Sequence, residues 1–279
     1  MSITASIFVI GMLISAFAQE HRDRPAKVSV GNGCQASKSI ALNEFLKRFD
    51  CIAERGFVTT LRAGPTGVGY TLESLLKIEE NNSPQGDFHG MEIKAYRDSE
   101  SRFDDHEKMN LFLKEPAWLD GMKSADRIKA YGYVDENGRQ AWYQSVTSRV
   151  NSSGLRLQVD RASRVVRFLR DGAEIGQWSY DVLEKRLLEK HSETVFVAAE
   201  TRGEGNAEQF HYRTVTYCAA PSVTRFVKLI EEGDVILELR MHINRTGGAR
   251  NHGSAFRVRK HRLVDLYREQ TLYRPVAAG

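Results

Sequence analysis

Apolar positions recur at helical spacing near residue 40, where Ile40, Phe45, Leu46, Phe49 and Ile52 of "SIALNEFLKRFDCIAERG" fall close to one face. Ser39 suits a cap and Gly56 a stop, so the pattern predicts an amphipathic helix. A glycine-punctuated loop follows, with no strand evident before it, and runs into a second, shorter helix, "GPTGVGYTLESLLKI". There Leu72, Leu75 and Leu76 face the core and Glu73 leans to another side. The pattern then changes to period two. "NLFLK", "LRLQV", "VVRFLRDGAEIGQW", "TVFVAAE", "FHYRTVTY", "VILELRMHI" and "AFRVRK" read as strands, with a type I′ hairpin at Asp171-Gly172 and a turn at "DENG". Helices are expected around Ala125 to Ala130 and at "YDVLEKRLLEKH", "SVTRFVKLIEEG" and "RLVDLYRE". Strands and helices alternate without a regular βαβ period, which predicts the α+β class. No internal repeat or low-complexity tract interrupts the chain.

With 279 residues and 41% hydrophobic positions, the chain can bury a large core and is not a disordered polymer. Residues 1–38 read differently from the rest. The first eighteen are apolar and uncharged, ending in A-F-A, and residues 20–38 are a polar, aperiodic linker. The A-F-A resembles a signal-peptidase site, but no basic residue precedes the apolar run and its length is at the lower limit of a membrane span. Export therefore stays open beside the reading of a cytoplasmic protein. Cys34, Cys51 and Cys218 are odd in number and lack metal-ligand spacing, so reduced thiols are expected.

The net charge of +4 permits a polyanionic partner without demanding one. Its distribution is more telling. Between Ile243 and Arg262 there are six Lys or Arg and two His, and no acid. Within it, the glycine-flanked "GARNHGS" offers Arg250 for a bidentate guanine contact, Asn251 for adenine or another base edge, and His252 for a groove edge. Arg257 and Arg259 alternate with Phe256 and Val258 and are expected to form a phosphate-facing stripe, which His261 extends.

Acidic chemistry gathers in "SPQGDFHGMEIKAYR". A tight turn at His89-Gly90 would pair Phe88 with Met91 and set Asp87 opposite Glu92, with Cβ atoms roughly 4.5–5.5 Å apart. Two like charges so placed need compensation, which a hard divalent cation supplies. Strand alternation turns Glu92 and Lys94 one way and Met91, Ile93 and Ala95 toward a core, so Lys94 stands beside the carboxylates. Two acids, a cation and a lysine are the parts needed to hydrolyse a phosphodiester. The same charges also fit an ordinary solvated hairpin, and the spacing alone leaves both readings open. His89, in the turn, reads as a bystander.

The ordered run "GPTGVGYTLESLLKIEENNSPQGDFHGMEIKAYR" resembles the MvaI/BcnI-type restriction endonucleases and, more distantly, the strand-nicking mismatch-repair enzyme MutH, all within the PD-(D/E)XK nuclease superfamily. This resemblance implies a mixed sheet with flanking helices and two lobes around a DNA cleft: a catalytic lobe over 39–150 and a mainly DNA-recognition lobe over 151–279, with strands that can be shared. It implies Asp87, Glu92 and Glu73 as metal ligands, Lys94 as the signature lysine and Lys114 as a second active-site lysine. Lys77 departs from the family, which often has glycine there. The resemblance further implies Mg²⁺, with Mn²⁺ as a substitute, 5′-phosphate products from a short C/G-rich duplex site, a monomer, and a cognate DNA methyltransferase as genetic partner. A MutH-like nicking enzyme and a non-catalytic DNA-binding protein are the competing readings.

Overall fold

The computed structural model describes residues 40–78, 88–98 and 108–275, all within one compact unit. The tail and linker at 1–38, Cys34, Ser39 and Asp87 lie outside the described residues. The first elements are α1 (Ile40–Ala53), β1 (Val58–Thr59), α2 (Gly67–Leu75), β2 (Glu92–Arg97), β3 (Lys108–Leu113), β4 (Ala117–Trp118), α3 (Ser124–Tyr131) and β5 (Tyr133–Val134). Next come β6 (Gln140–Val146), β7 (Leu155–Asp160), β8 (Val165–Arg170), β9 (Ala173–Ser179), α4 (Tyr180–His191) and β10 (Glu193–Arg202). The chain ends with β11 (Gln209–Pro221), α5 (Val223–Glu232), β12 (Val235–Ile243), β13 (Ala249–Asn251), β14 (Ala255–Arg259) and β15 (Tyr267–Tyr273). This is the α+β class that the interspersed pattern predicts.

Three sheets organise the described residues. A five-stranded mixed sheet runs β1-β11-β10-β2, with β15 also on β11; β2 lies parallel to β10 and the other pairings are antiparallel. A six-stranded antiparallel sheet runs β3-β14-β12-β6-β5, with β13 also on β12. The third, β4-β9-β8-β7, contains the expected hairpin at Asp171-Gly172, where both residues take positive φ. The sheet that carries Glu92 thus draws strands from both sides of residue 150.

Helix α1 buries Leu42, Phe45, Leu46, Phe49 and Ile52. Ile40, expected on that face, is instead 87% exposed at the helix start, before the core begins. These side chains, Leu72 of α2 and Leu76 at its C-cap cover one face of the five-stranded sheet, meeting Ile93, Val195, Val197 and Phe210. A larger core holds Phe196 and Tyr267 together with Phe226 of α5 and Leu237 of β12. A buried chain of hydrogen bonds crosses it: Tyr267 Oη donates to Thr194 Oγ1 at 3.0 Å, Thr194 Oγ1 lies 3.4 Å from His191 Nδ1, and His191 Nε2 donates to the Leu111 carbonyl at 2.9 Å. Because a carbonyl only accepts, Nε2 carries the proton.

Two expectations change. The last predicted helix is a 3-10 turn at Lys260–Leu266 followed by strand β15. Leu263, Leu266 and Tyr267 are buried at helical spacing, which one short turn satisfies before the chain extends along the free edge of β11. A two-residue strand, β1, also precedes the glycine loop where none was evident.

Candidate active site

The turn at His89-Gly90 forms as its sequence suggests. Phe88 and Met91 pair through two backbone hydrogen bonds of 3.0 and 2.9 Å, and His89 and Gly90 have φ of 50° and 88°. Positive φ at both central residues is what a type I′ turn requires, and glycine takes it without strain. His89 Nε2 lies 3.4 Å from Glu44 of α1, which fits its bystander reading. Beyond the turn, Met91 and Ile93 are buried against the helical layer and Glu92 and Lys94 face the other way, in register with Thr194 and Phe196. Glu92 is only 8% exposed, and its carboxylate is in hydrogen-bonded ion-pair contact with the Lys94 ammonium. Among the described residues β2 is an edge strand, so this pair sits at a border of the sheet.

Glu73 occupies the last turn of α2, a helix that packs beside β2. Helix α2 packs on the Met91 and Ile93 side of β2, so Glu73 can approach Glu92 and Lys94 only around the edge of that strand. An acid at the negative end of a helix is electrostatically disfavoured, so its presence there is not explained by helix stability. The helix ends in a Schellman motif: Lys77 N donates to Ser74 O at 3.1 Å and Ile78 N to Glu73 O at 3.0 Å. Lys77 takes φ 60°, the left-handed region that favours glycine, which gives a physical reason for the family's glycine at this place. Arg48 of α1 donates to the Leu76 carbonyl at 2.8 Å and so brings a cation to the negative end of the helix.

Lys114 lies past the end of β3, its amide donating to Ser254 O. It lines a cavity of about 620 Å³ with Glu115, Arg186 and Gly253. Glu115 organises the neighbouring loop: its Oε1 accepts from Asn251 Nδ2 at 3.0 Å, Ser254 N at 2.9 Å and Ser254 Oγ at 2.8 Å. Asn251 Oδ1 accepts from Gly253 N at 2.7 Å, so the Asn251 amide shapes the loop at both ends. Arg250 and His252 flank it and are exposed.

The expected basic stripe is heavily paired. Arg257 Nη1 donates to Glu238 Oε2 at 2.9 Å, and Lys108 reaches the other oxygen of that carboxylate at 2.7 Å. Burial raises the Glu238 carboxyl, but these hydrogen bonds outweigh it and hold the group below its ordinary value. Arg259 Nε lies 3.4 Å from Asp234, which Arg262 also contacts. The acids missing from the sequence between 243 and 262 come from Asp234 and Glu238, on and beside β12.

Carboxylate oxygens on β2 and α2 are of the chemical kind that a hard divalent cation takes. Among the described residues no three Asp, Glu, His or Cys side chains gather closely enough to hold a metal, and Asp87, the expected partner of Glu92, lies outside them. A family model, the MvaI/BcnI restriction endonuclease family, matches residues 46–267. The chain belongs to this family. The MvaI restriction endonuclease in complex with its cognate DNA substrate is 26% identical over 86% of this chain and 100% of that one, with a TM-score of 0.68. MvaI in the absence of DNA is 26% identical over 85% and 98% of the two chains, with a TM-score of 0.56. No curated protein sequence matches.

For a MvaI/BcnI-family chain, the sequence reading overlooked one polar surface. On β12, Glu238, Arg240 and His242 alternate with buried Leu237, Leu239 and Met241. Arg240 is exposed, and His242 Nδ1 lies 2.9 Å from the Tyr143 hydroxyl while its ring stacks on His252 at 5.7 Å. Burial, then Arg139, His252 and Arg250, hold the His242 imidazole below its ordinary value. The period-two alternation in "ELRMH" was the available signal. Among the described residues no helix is long and apolar enough to cross a membrane. Cys51 and Cys218 are free thiols, and burial pushes Cys218 up to about 12.

Proposed function

We propose that the chain is a type II restriction endonuclease that hydrolyses duplex DNA with a divalent cation, Mg²⁺ or in its place Mn²⁺. The observation that carries this reading is the Glu92–Lys94 pair on the edge strand of a MvaI/BcnI-family fold. Glu92, with Asp87 and Glu73, would hold the cation, which when bound supplies Lewis acidity and favours deprotonation of water. Lys94 neutralises Glu92 in the free protein. With DNA in place its ammonium orients the attacking water and offsets the charge that builds on the phosphoryl oxygens. The water oxygen–phosphorus bond forms as the bond from phosphorus to the 3′ oxygen breaks, leaving a 3′-hydroxyl and a 5′-phosphate. Lys114, beside the loop that Glu115 organises, serves the same DNA from the end of β3.

Arg250 and His252 are the foremost base contacts, because both are exposed and the loop beneath them is fixed. Asn251 contributes through the amide capacity that remains after its contacts with Glu115 and Gly253. Arg257 and Arg259 reach phosphates only by loosening ion pairs, so they rank second. The target is a short, nearly palindromic C/G-rich site, cut by a monomer one strand at a time, and a methyltransferase protects the host site. Incubation of sequenced plasmids with Mg²⁺, Mn²⁺ or chelator tests this. Defined linear fragments, preceded by nicked circles and absent with chelator, are expected. Nicked circles that never linearise point to a strand-nicking role, and intact plasmid under every condition overturns the reading.

A further inference from the structure

At the far end of the strand that carries Glu92 and Lys94, Arg97 points toward the helical layer. Its Nε donates to Glu208 Oε1 at 2.6 Å and its Nη2 to Glu208 Oε2 at 2.8 Å, a bidentate fork. The same guanidinium donates to the carbonyls of Gly64 at 2.9 Å and Pro65 at 3.1 Å, and it lies 5.4 Å from the Phe210 ring centroid. Glu208 is 8% exposed and directly precedes β11; its own carbonyl accepts from Thr60 N at 2.8 Å. From the other side, Lys260 Nζ donates to the Arg97 carbonyl at 2.8 Å.

The elements joined here cannot place themselves. Helix α2 has nine residues, too few to be stable alone, and Thr66 gives it no side-chain cap. Its first residue, Gly67, is seated so closely that a Cβ would meet the Arg62 carbonyl oxygen at 2.2 Å. The 60–66 loop therefore decides where α2 sits, and Arg97 holds that loop. Among the described residues β2 has only β10 as a strand partner, so it too relies on Arg97 at its end.

We propose that Arg97 is a positioning residue which, through Glu208, fixes α2 against β2 and sets the Glu73 carboxylate relative to Glu92 and Lys94. The inference rests on the metal-dependent reading above. Ligand-holding partners outside the metal's own shell typically govern affinity or activity by about 10–100-fold. Arg97→Lys keeps the charge but loses the fork, and Glu208→Gln keeps the shape but loses the carboxylate.

The test measures Mn²⁺ binding to full-length protein by electron paramagnetic resonance, with DNA affinity in chelator, single-turnover cleavage and thermal unfolding alongside. Arg97→Lys and Glu208→Gln are each expected to weaken Mn²⁺ binding and slow cleavage by about 10-fold or more, leaving DNA affinity within about twofold. The double variant should be no worse than the poorer single, because both break one clasp. Arg161→Ala, which opens the exposed Arg161–Glu231 pair, controls for loss of stability and should bind Mn²⁺ as the parent does. If Glu92→Ala abolishes Mn²⁺ binding while both clasp variants bind normally, or if their losses add, the proposal alone fails. If Glu92→Ala binds Mn²⁺ unchanged, the metal reading fails and the proposal with it.

Discussion

Strands β2 and β14 carry nearly the same pattern, charged residues alternating with apolar ones, yet their surroundings make them different objects. On β14, an interior strand, Arg257 and Arg259 face acids from β12 and its flank, and each charge is answered across the sheet. On β2, at a sheet edge among the described residues, Glu92 and Lys94 answer each other along the strand. A neighbour-paired charge is committed to the fold, since breaking it strands its partner in a half-buried site. A pair held along one border strand can exchange its partner for a ligand without dismantling the sheet. Under the proposed function, position within the sheet, rather than the spacing of charges, separates chemistry from scaffold.

The largest effect that sharpens this contrast is expected at Glu92. Glu92→Ala should slow single-turnover cleavage by about 10³-fold or more, while its melting temperature stays near that of the parent. Cleavage at the parent rate would remove β2 from the chemistry. Arg250→Ala, on the exposed loop, should weaken cognate DNA binding by about 1–3 kcal/mol with no change in urea stability, as read by titration of labelled duplex.

Arg257→Ala should do the reverse. It leaves Glu238 with Lys108 alone and should cost about 2 kcal/mol in urea unfolding, with a smaller change in DNA affinity. The pH dependence follows from the same carboxylate. Glu238 binds protons more weakly folded than unfolded, so its contribution is complete above its ordinary value of 4.5 and declines as pH falls through the depressed folded value. Arg257→Ala should flatten that decline in thermal unfolding between pH 6 and pH 3; an unchanged slope would show that the pair is not what holds Glu238. The smallest effect is at Lys77, where replacement by glycine relieves a left-handed backbone and should stabilise by about 0.5–1 kcal/mol.

The features legible in the sequence were local. The α1 face apart from Ile40, the His89-Gly90 and Asp171-Gly172 turns and the side-chain alternation of β2 each follow from neighbours a few residues apart, and each forms as expected. What escaped depended on distant partners. The basic run from Arg245 to Arg262 looked unopposed because Glu238 and Asp234 precede it in the chain and become its neighbours only when β12 pairs with β14. The end of the chain looked helical because burial at 263, 266 and 267 fits one turn, and only the free edge of β11 makes the remainder a strand. The role of Arg97 was not legible locally, because its carboxylate partner lies 111 positions away. The proposed role of Glu73 rests on family resemblance alone, since a helix-end acid otherwise reads as solvated surface.

The most direct measurement is single-turnover cleavage, with Mg²⁺, of a plasmid carrying the mapped site by Lys94→Ala and Arg257→Ala side by side at a temperature where both are folded. The edge-strand account predicts that Lys94→Ala binds the site but does not cut it, and that Arg257→Ala cuts at close to the parent rate. Cutting by Lys94→Ala at the parent rate, with Arg257→Ala inactive though folded, would contradict it.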